Sequence, residues 1–137
     1  MGVDIPRSLS SLAEFLLGPL GFSCVADSTE DSFGIRTIVF ELANYRLRFL
    51  RDRSGSWSIE FFESSKGSNW YYTALIREAV TGESADVSLS VDEEADYWKQ
   101  NWLLVKKFFE PDKEAAHRLI NEKADLISRR QNPSWYQ

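Results

Sequence analysis

The sequence predicts an α+β domain: an N-terminal helix, a four-stranded antiparallel meander sheet, and three C-terminal helices packed on one face of it. Three observations lead there. Apolar residues recur at helical spacing before Gly18-Pro19 and again beyond Asn69, drawing one face of each helix. From Phe22 to Glu63, short runs rich in β-branched and aromatic residues are separated by turn-forming clusters. All the strand-like runs precede the last three helical ones, and that order favours an antiparallel sheet covered on one side.

The first helix is expected over about Ser8–Leu17, with Ser8 or Ser10 as cap and Leu9, Leu12, Phe15 and Leu16 on one face. Gly18-Pro19 ends it, because proline lacks an amide donor and clashes with the preceding turn. The strands are expected at Phe22–Ala26, Ile35–Leu42, Tyr45–Arg53 and Trp57–Glu63, with Asp27–Ser32 a polar loop. The last pair reads as a hairpin around Ser54-Gly55-Ser56, with Gly55 left-handed. A three-residue loop pairs Arg53 with Trp57, Arg51 with Ile59 and Phe49 with Phe61. Tyr45, Leu47, Phe49, Trp57, Ile59 and Phe61 then share the buried face.

A helical pattern resumes at Asn69-Trp70-Tyr71-Tyr72 and runs to Val80, with Ser68 or Asn69 as cap and Gly82 as stop. Next, Ser90-Val91-Asp92-Glu93 forms a capping box, in which serine and glutamate each satisfy a free amide of the first turn. Ala95, Trp98, Trp102, Val105 and Phe109 follow as one apolar stripe, ended by Pro111. The final helix is expected from Asp112 to Arg130, with Ala116, Leu119, Ile120, Ala124 and Ile127 inward and its charges matched to the helix dipole.

The 137 residues fit one domain, 1–137, with enough length to bury a core. Aromatic residues make up 14%, a share that suits a ring-rich core and leaves some rings for a partner surface. Trp135 and Tyr136 are expected to fold back onto the domain, since exposed rings are costly in water. Cys24 lacks a partner for an internal disulfide and lies among apolar neighbours, so a buried thiol in a reduced, cytoplasmic setting is expected. The N-terminal region does not read as an export signal, and no run is long enough to span a membrane.

Little points to catalysis. His117 is the one histidine, expected on a solvated helix rim, and neither a nucleophile-elbow nor a phosphate-cradling glycine motif occurs. No metal or cofactor is expected, because the crowded acids diverge around a helix axis and lack a calcium-loop pattern. Arg46, Arg48, Arg51 and Arg53 form a basic run on the hairpin, but Glu41, Glu60 and Glu63 stand on neighbouring strands to pair with them. With a sequence pI of 4.9, a nucleic-acid partner is not expected.

The feature that does point to a partner is a stretch between Arg77 and Lys99 with acids and no bases. Against a net charge of -5, it concentrates Glu78, Glu83, Asp86, Asp92, Glu93, Glu94 and Asp96. Such a patch repels nucleic acid and anionic membrane and attracts basic surfaces. Glu83, Asp86, Asp92, Glu93, Glu94 and Asp96 are the expected partner-binding residues, and the expected partner is a basic protein.

The layout is similar to that of the small immunity proteins found beside bacterial polymorphic and contact-dependent toxins. The similarity lies in the N-terminal helix ending at Gly18-Pro19-Leu20-Gly21-Phe22, the meander containing Tyr45-Arg46-Leu47-Arg48-Phe49, and Tyr97-Trp98-Lys99-Gln100-Asn101-Trp102 running into Phe108-Phe109. It implies a non-catalytic inhibitor with a toxin partner and transfers no individual site residue. A toxic nuclease, with its basic substrate cleft, is one partner that an acidic surface would fit. The alternative is a secretion or folding chaperone of the small acidic α+β type, a homodimer that holds an extended segment through rings such as Trp70, Tyr71 or Tyr72.

Overall fold

A computed structural model describes residues 5–30, 34–66 and 69–132 of the chain. Helix α1 (Arg7–Leu17) leads into strands β1 (Ser23–Glu30), β2 (Ile35–Leu42), β3 (Tyr45–Arg51) and β4 (Trp57–Glu63). A short 3-10 turn (Ser64–Lys66) and a two-residue strand β5 (Tyr71–Tyr72) follow, then helices α2 (Thr73–Thr81), α3 (Val91–Phe109) and α4 (Lys113–Gln131). The strands form one antiparallel sheet in chain order, β1 to β5. The fold is α+β, with the helices on one face of a meander that gains a short fifth strand.

Alternation places the core. Phe40, Tyr45, Leu47, Phe49, Ile59 and Phe61 point towards the helices and are almost fully buried. The α3 stripe of Ala95, Trp98, Trp102, Val105 and Phe109 lies over them, all buried. Trp98 stacks on Phe61 with ring centroids 5.4 Å apart, and Trp102 meets Tyr45 edge-on at 5.3 Å. The capping box forms in full: Glu93 N–H donates to Ser90 Oγ at 3.1 Å, and Ser90 N–H to Glu93 Oε1 at 3.0 Å.

Several expectations need correction. Helix α1 starts at Arg7, ahead of both serines expected to cap it, with Pro6 at its N-cap and no capping side chain. Proline presets the backbone angle of an entering helix, so neither Ser8 nor Ser10 is needed. Asp27–Glu30 belong to β1 instead of a loop, and Cys24 is exposed instead of buried. Every residue of β1 is exposed because it is the sheet's outer strand and the helices do not reach over it. Polar residues are tolerated there, and Asp27 also pairs with Arg36 of β2 at 2.9 Å.

The β3–β4 register is shifted by two from the expected one: Arg51 faces Trp57, Phe49 faces Ile59 and Leu47 faces Phe61. A shift of two leaves every side chain on its expected face, so hydrophobic alternation alone could not separate the registers. The Asp52 carboxylate decides between them. It accepts from Ser54 N–H at 2.9 Å and Ser56 N–H at 3.0 Å, drawing Asp52–Ser56 into a longer loop. Gly55 is left-handed as expected, at φ 89°.

Trp70-Tyr71-Tyr72 were expected to open a helix, yet Tyr71 and Tyr72 pair with Phe61 and Glu60 of β4. Helix α2 then starts at Thr73 with no side-chain cap, so Asn69 does not cap it, and Ser68 lies outside the described residues. The aromatic trio satisfied both patterns, and strand pairing with β4 won. Leu119 of α4 is exposed and Ala124 half-buried, while His117 takes an inward place. Trp135 and Tyr136 lie outside the described residues.

Candidate functional site

The acidic stretch divides into three parts. Glu94 turns inward and is 8% exposed, so it is no part of an acidic surface. Its Oε1 accepts from Ile59 N–H at 3.0 Å, while Thr73 Oγ1–H donates to Ile59 C=O at 2.7 Å. Two side chains thus replace a strand neighbour beyond the end of β5. Burial pushes the Glu94 carboxyl up, outweighing the hydrogen bonds that draw it down.

Glu83, Asp86 and Glu93 gather around Arg77 and Arg130. Arg77 pairs with Glu83 at 3.3 Å, and Arg130 bridges Asp86 at 3.0 Å and Glu78 at 2.7 Å. Glu93 is spent on the capping box, whose Ser90 backbone and side-chain hydrogen bonds hold its carboxyl below the usual range. Asp92 and Asp96 are exposed on another side of α3, lining a shallow depression with Arg7, Ser8, Ser11 and Lys99. Five of the six expected acids therefore reach solvent, on two sides of one helix start, and arginines partly balance one set.

Apolar side chains stand beside the first set. Tyr72, 45% exposed, and Val87, 61% exposed, line one depression of about 260 Å³ at the sheet margin with Ala85 and Leu89. Isolated exposed apolar residues are ordinary, but two on a shared concavity next to acids make an anchor-and-rim surface. The sheet face away from the helices adds a stack of another kind. Arg48 lies 4.2 Å over the Trp70 ring, Trp70 sits 5.3 Å from Phe62, and Arg46 is 5.6 Å from Phe62. Glu41 and Glu60 pair with Arg46 and Arg48, as expected, which leaves this face close to neutral.

The deepest correction concerns His117. It is 4% exposed, not on a solvated rim, and joins Glu63 and Tyr71 in a buried chain. His117 Nε2 lies 2.8 Å from Glu63 Oε1, and Tyr71 Oη lies 2.6 Å from His117 Nδ1. Burial would raise the Glu63 carboxyl, but hydrogen bonds from Ser65, His117 and Asn44 together hold it below the ordinary value. Tyr71 and His117 form the floor of a groove of about 560 Å³ along α4, walled by Asn69, Glu114, Arg118, Asn121, Glu122 and Asp125.

The arrangement resembles a nucleophile–base–orienter chain. Burial pushes the Tyr71 phenol up, so it rests protonated beside His117. Spacing could not have found this trio, because Glu63, Tyr71 and His117 meet only through the fold. Among the described residues, no group of three His, Cys, Asp or Glu side chains is placed to hold a metal ion. No helix among them is long and apolar enough to cross a membrane.

Comparison with protein-family models, curated proteins and solved structures finds no match for this chain.

Proposed function

We propose that this chain is a non-catalytic binding protein, an immunity-type inhibitor that acts in the cytoplasm by neutralising a basic toxin domain. The observation that carries the reading is the concavity of Tyr72 and Val87 set against the Glu83–Asp86 loop. Apolar anchors beside acids suit a folded protein surface with basic groups around an apolar centre. Asp92 and Asp96 extend the negative charge around the start of α3. Arg77 and Arg130 reduce the charge of the loop but hold its carboxylates in place, so less side-chain freedom is lost on binding.

The test is a tagged pull-down eluted with stepped salt, paired with charge reversal at the exposed Glu83, Asp92 and Asp96. The expected result is a stoichiometric basic partner, released as salt rises and lost in the reversed variant. Capture that ignores both salt and reversal would sink the reading. A second reading, a chaperone holding an extended segment, is favoured by β1, whose eight residues form an exposed edge. Recovery of an unfolded segment with a homodimer would move the assignment there.

A further inference from the structure

The concavity beneath Tyr72 and Val87 carries one carboxyl group in its wall. Glu94 lines it together with Thr73 and Ala85, and all three are buried. Every other lining side chain is neutral, and burial pushes the Tyr72 phenol up, so that ring stays uncharged as well. Glu94 is therefore the group through which this concavity responds to pH.

Little holds a charge on that carboxyl. Its Oε1 accepts from Ile59 N–H at 3.0 Å, and no cation pairs with it among the described residues. The charged neighbour that acts on it is Glu60 of β4, a like charge already paired with Arg48. Burial and Glu60 push the same way, against the hydrogen bonds from Ile59 and Thr73. What solvation the carboxylate keeps comes from the side of the concavity that it lines. An apolar group seated there removes that solvation, and the loss is far more costly for the ionised form than for the neutral acid.

We propose that the concavity is a proton-linked binding site, in which an apolar side chain of a basic protein partner seats as Glu94 takes up a proton from solvent. The occupant rests on the inhibitor reading; the dependence on protons is new to it. The sign follows from burial. Where Glu94 is ionised in the free chain, an occupant must discharge or desolvate it. Where Glu94 is already neutral, no such cost arises, so affinity rises as pH falls through its titration.

The test is a titration of the isotope-labelled full chain with benzyl alcohol, a neutral apolar probe, at a series of pH values. Binding is read from the amide shifts of Tyr72, Ala85 and Val87, and protonation from the carboxyl carbon of Glu94. Saturable shifts are expected, with affinity rising about fivefold as pH falls across the Glu94 titration and the carboxyl midpoint higher in the bound state. Glu94→Gln should bind the probe about fivefold more tightly than the unaltered chain at neutral pH, with no dependence on pH. Glu122→Gln, an exposed change on α4, should keep the dependence whole. Absence of saturable binding, an affinity indifferent to pH, or a dependence that survives Glu94→Gln would overturn the proposal. No protein partner takes part, so a pull-down without a basic partner would remove the identity of the occupant and leave the proton linkage standing.

Discussion

Glu63 and Glu94 are both buried, yet they shift in opposite directions: hydrogen bonds outweigh burial at Glu63, and burial outweighs them at Glu94. Glu63 sits below its ordinary value of 4.5, so the unfolded chain takes up this proton first as pH falls. Its contribution is whole above about 4.5 and is lost as pH drops through the folded value. Glu63→Gln should flatten the acid limb of stability against pH, read by circular dichroism in denaturant. Glu63→Ala should cost about 3–5 kcal/mol, since His117 and Asn44 would lose a buried partner. Glu94 lies above its ordinary 4.5, so the folded chain holds the proton longer and stability falls as pH rises across that window. Glu94→Gln keeps an oxygen for Ile59 N–H without the buried charge. At neutral pH its stability should be unchanged or raised by up to about 1 kcal/mol, and it should no longer fall across that window.

At the scale of elements, the hairpin ends are tied by Arg51. Its guanidinium donates to Gly34 C=O at 2.7 Å and passes close to both Gly34 and Gly55. A Cβ at Gly34 would lie 2.8 Å from Arg51 Nη1, and the residue sits at φ 67°. Gly34→Ala should cost about 1–3 kcal/mol by denaturant midpoint. Adding Arg51→Ala should recover the steric part and leave the backbone part. Trp98→Ala should cost about 3–5 kcal/mol, and Trp98→Phe less, because the ring stack survives while the indole bond to Thr73 at 3.0 Å is lost. The same elements show what was legible in the sequence. The Ser90–Glu93 box and the α3 stripe are local patterns, and both formed where expected. The hairpin register was not legible, because a slip of two keeps every face and the Asp52 turn had to decide. Tyr71 and Tyr72 were misread because strand pairing is non-local.

For the whole molecule, surface and interior exchange some of the roles the sequence suggested. Glu94 left the expected acidic surface because the unpaired edge of β4 needed an acceptor. His117 left the expected rim because Glu63 and Tyr71, each more than forty residues away along the chain, converge on it. A run of like charges was legible, but its division around a helix start depends on packing. Tyr72→Ala should weaken capture of the proposed toxin partner about tenfold. Thermal stability should hardly change, because Tyr72 is 45% exposed.

The side chains that finish β4 also bear on assembly. Glu94 and Thr73 occupy the backbone groups of Ile59, and β5 covers only two residues before turning into α2. Among the described strands, β1 is the one long edge left open. A molecule with two open edges can add copies at both and run on into a fibre. With one, two molecules joined β1 to β1 about a two-fold axis use up each other's edge, and growth by strand addition stops at a pair.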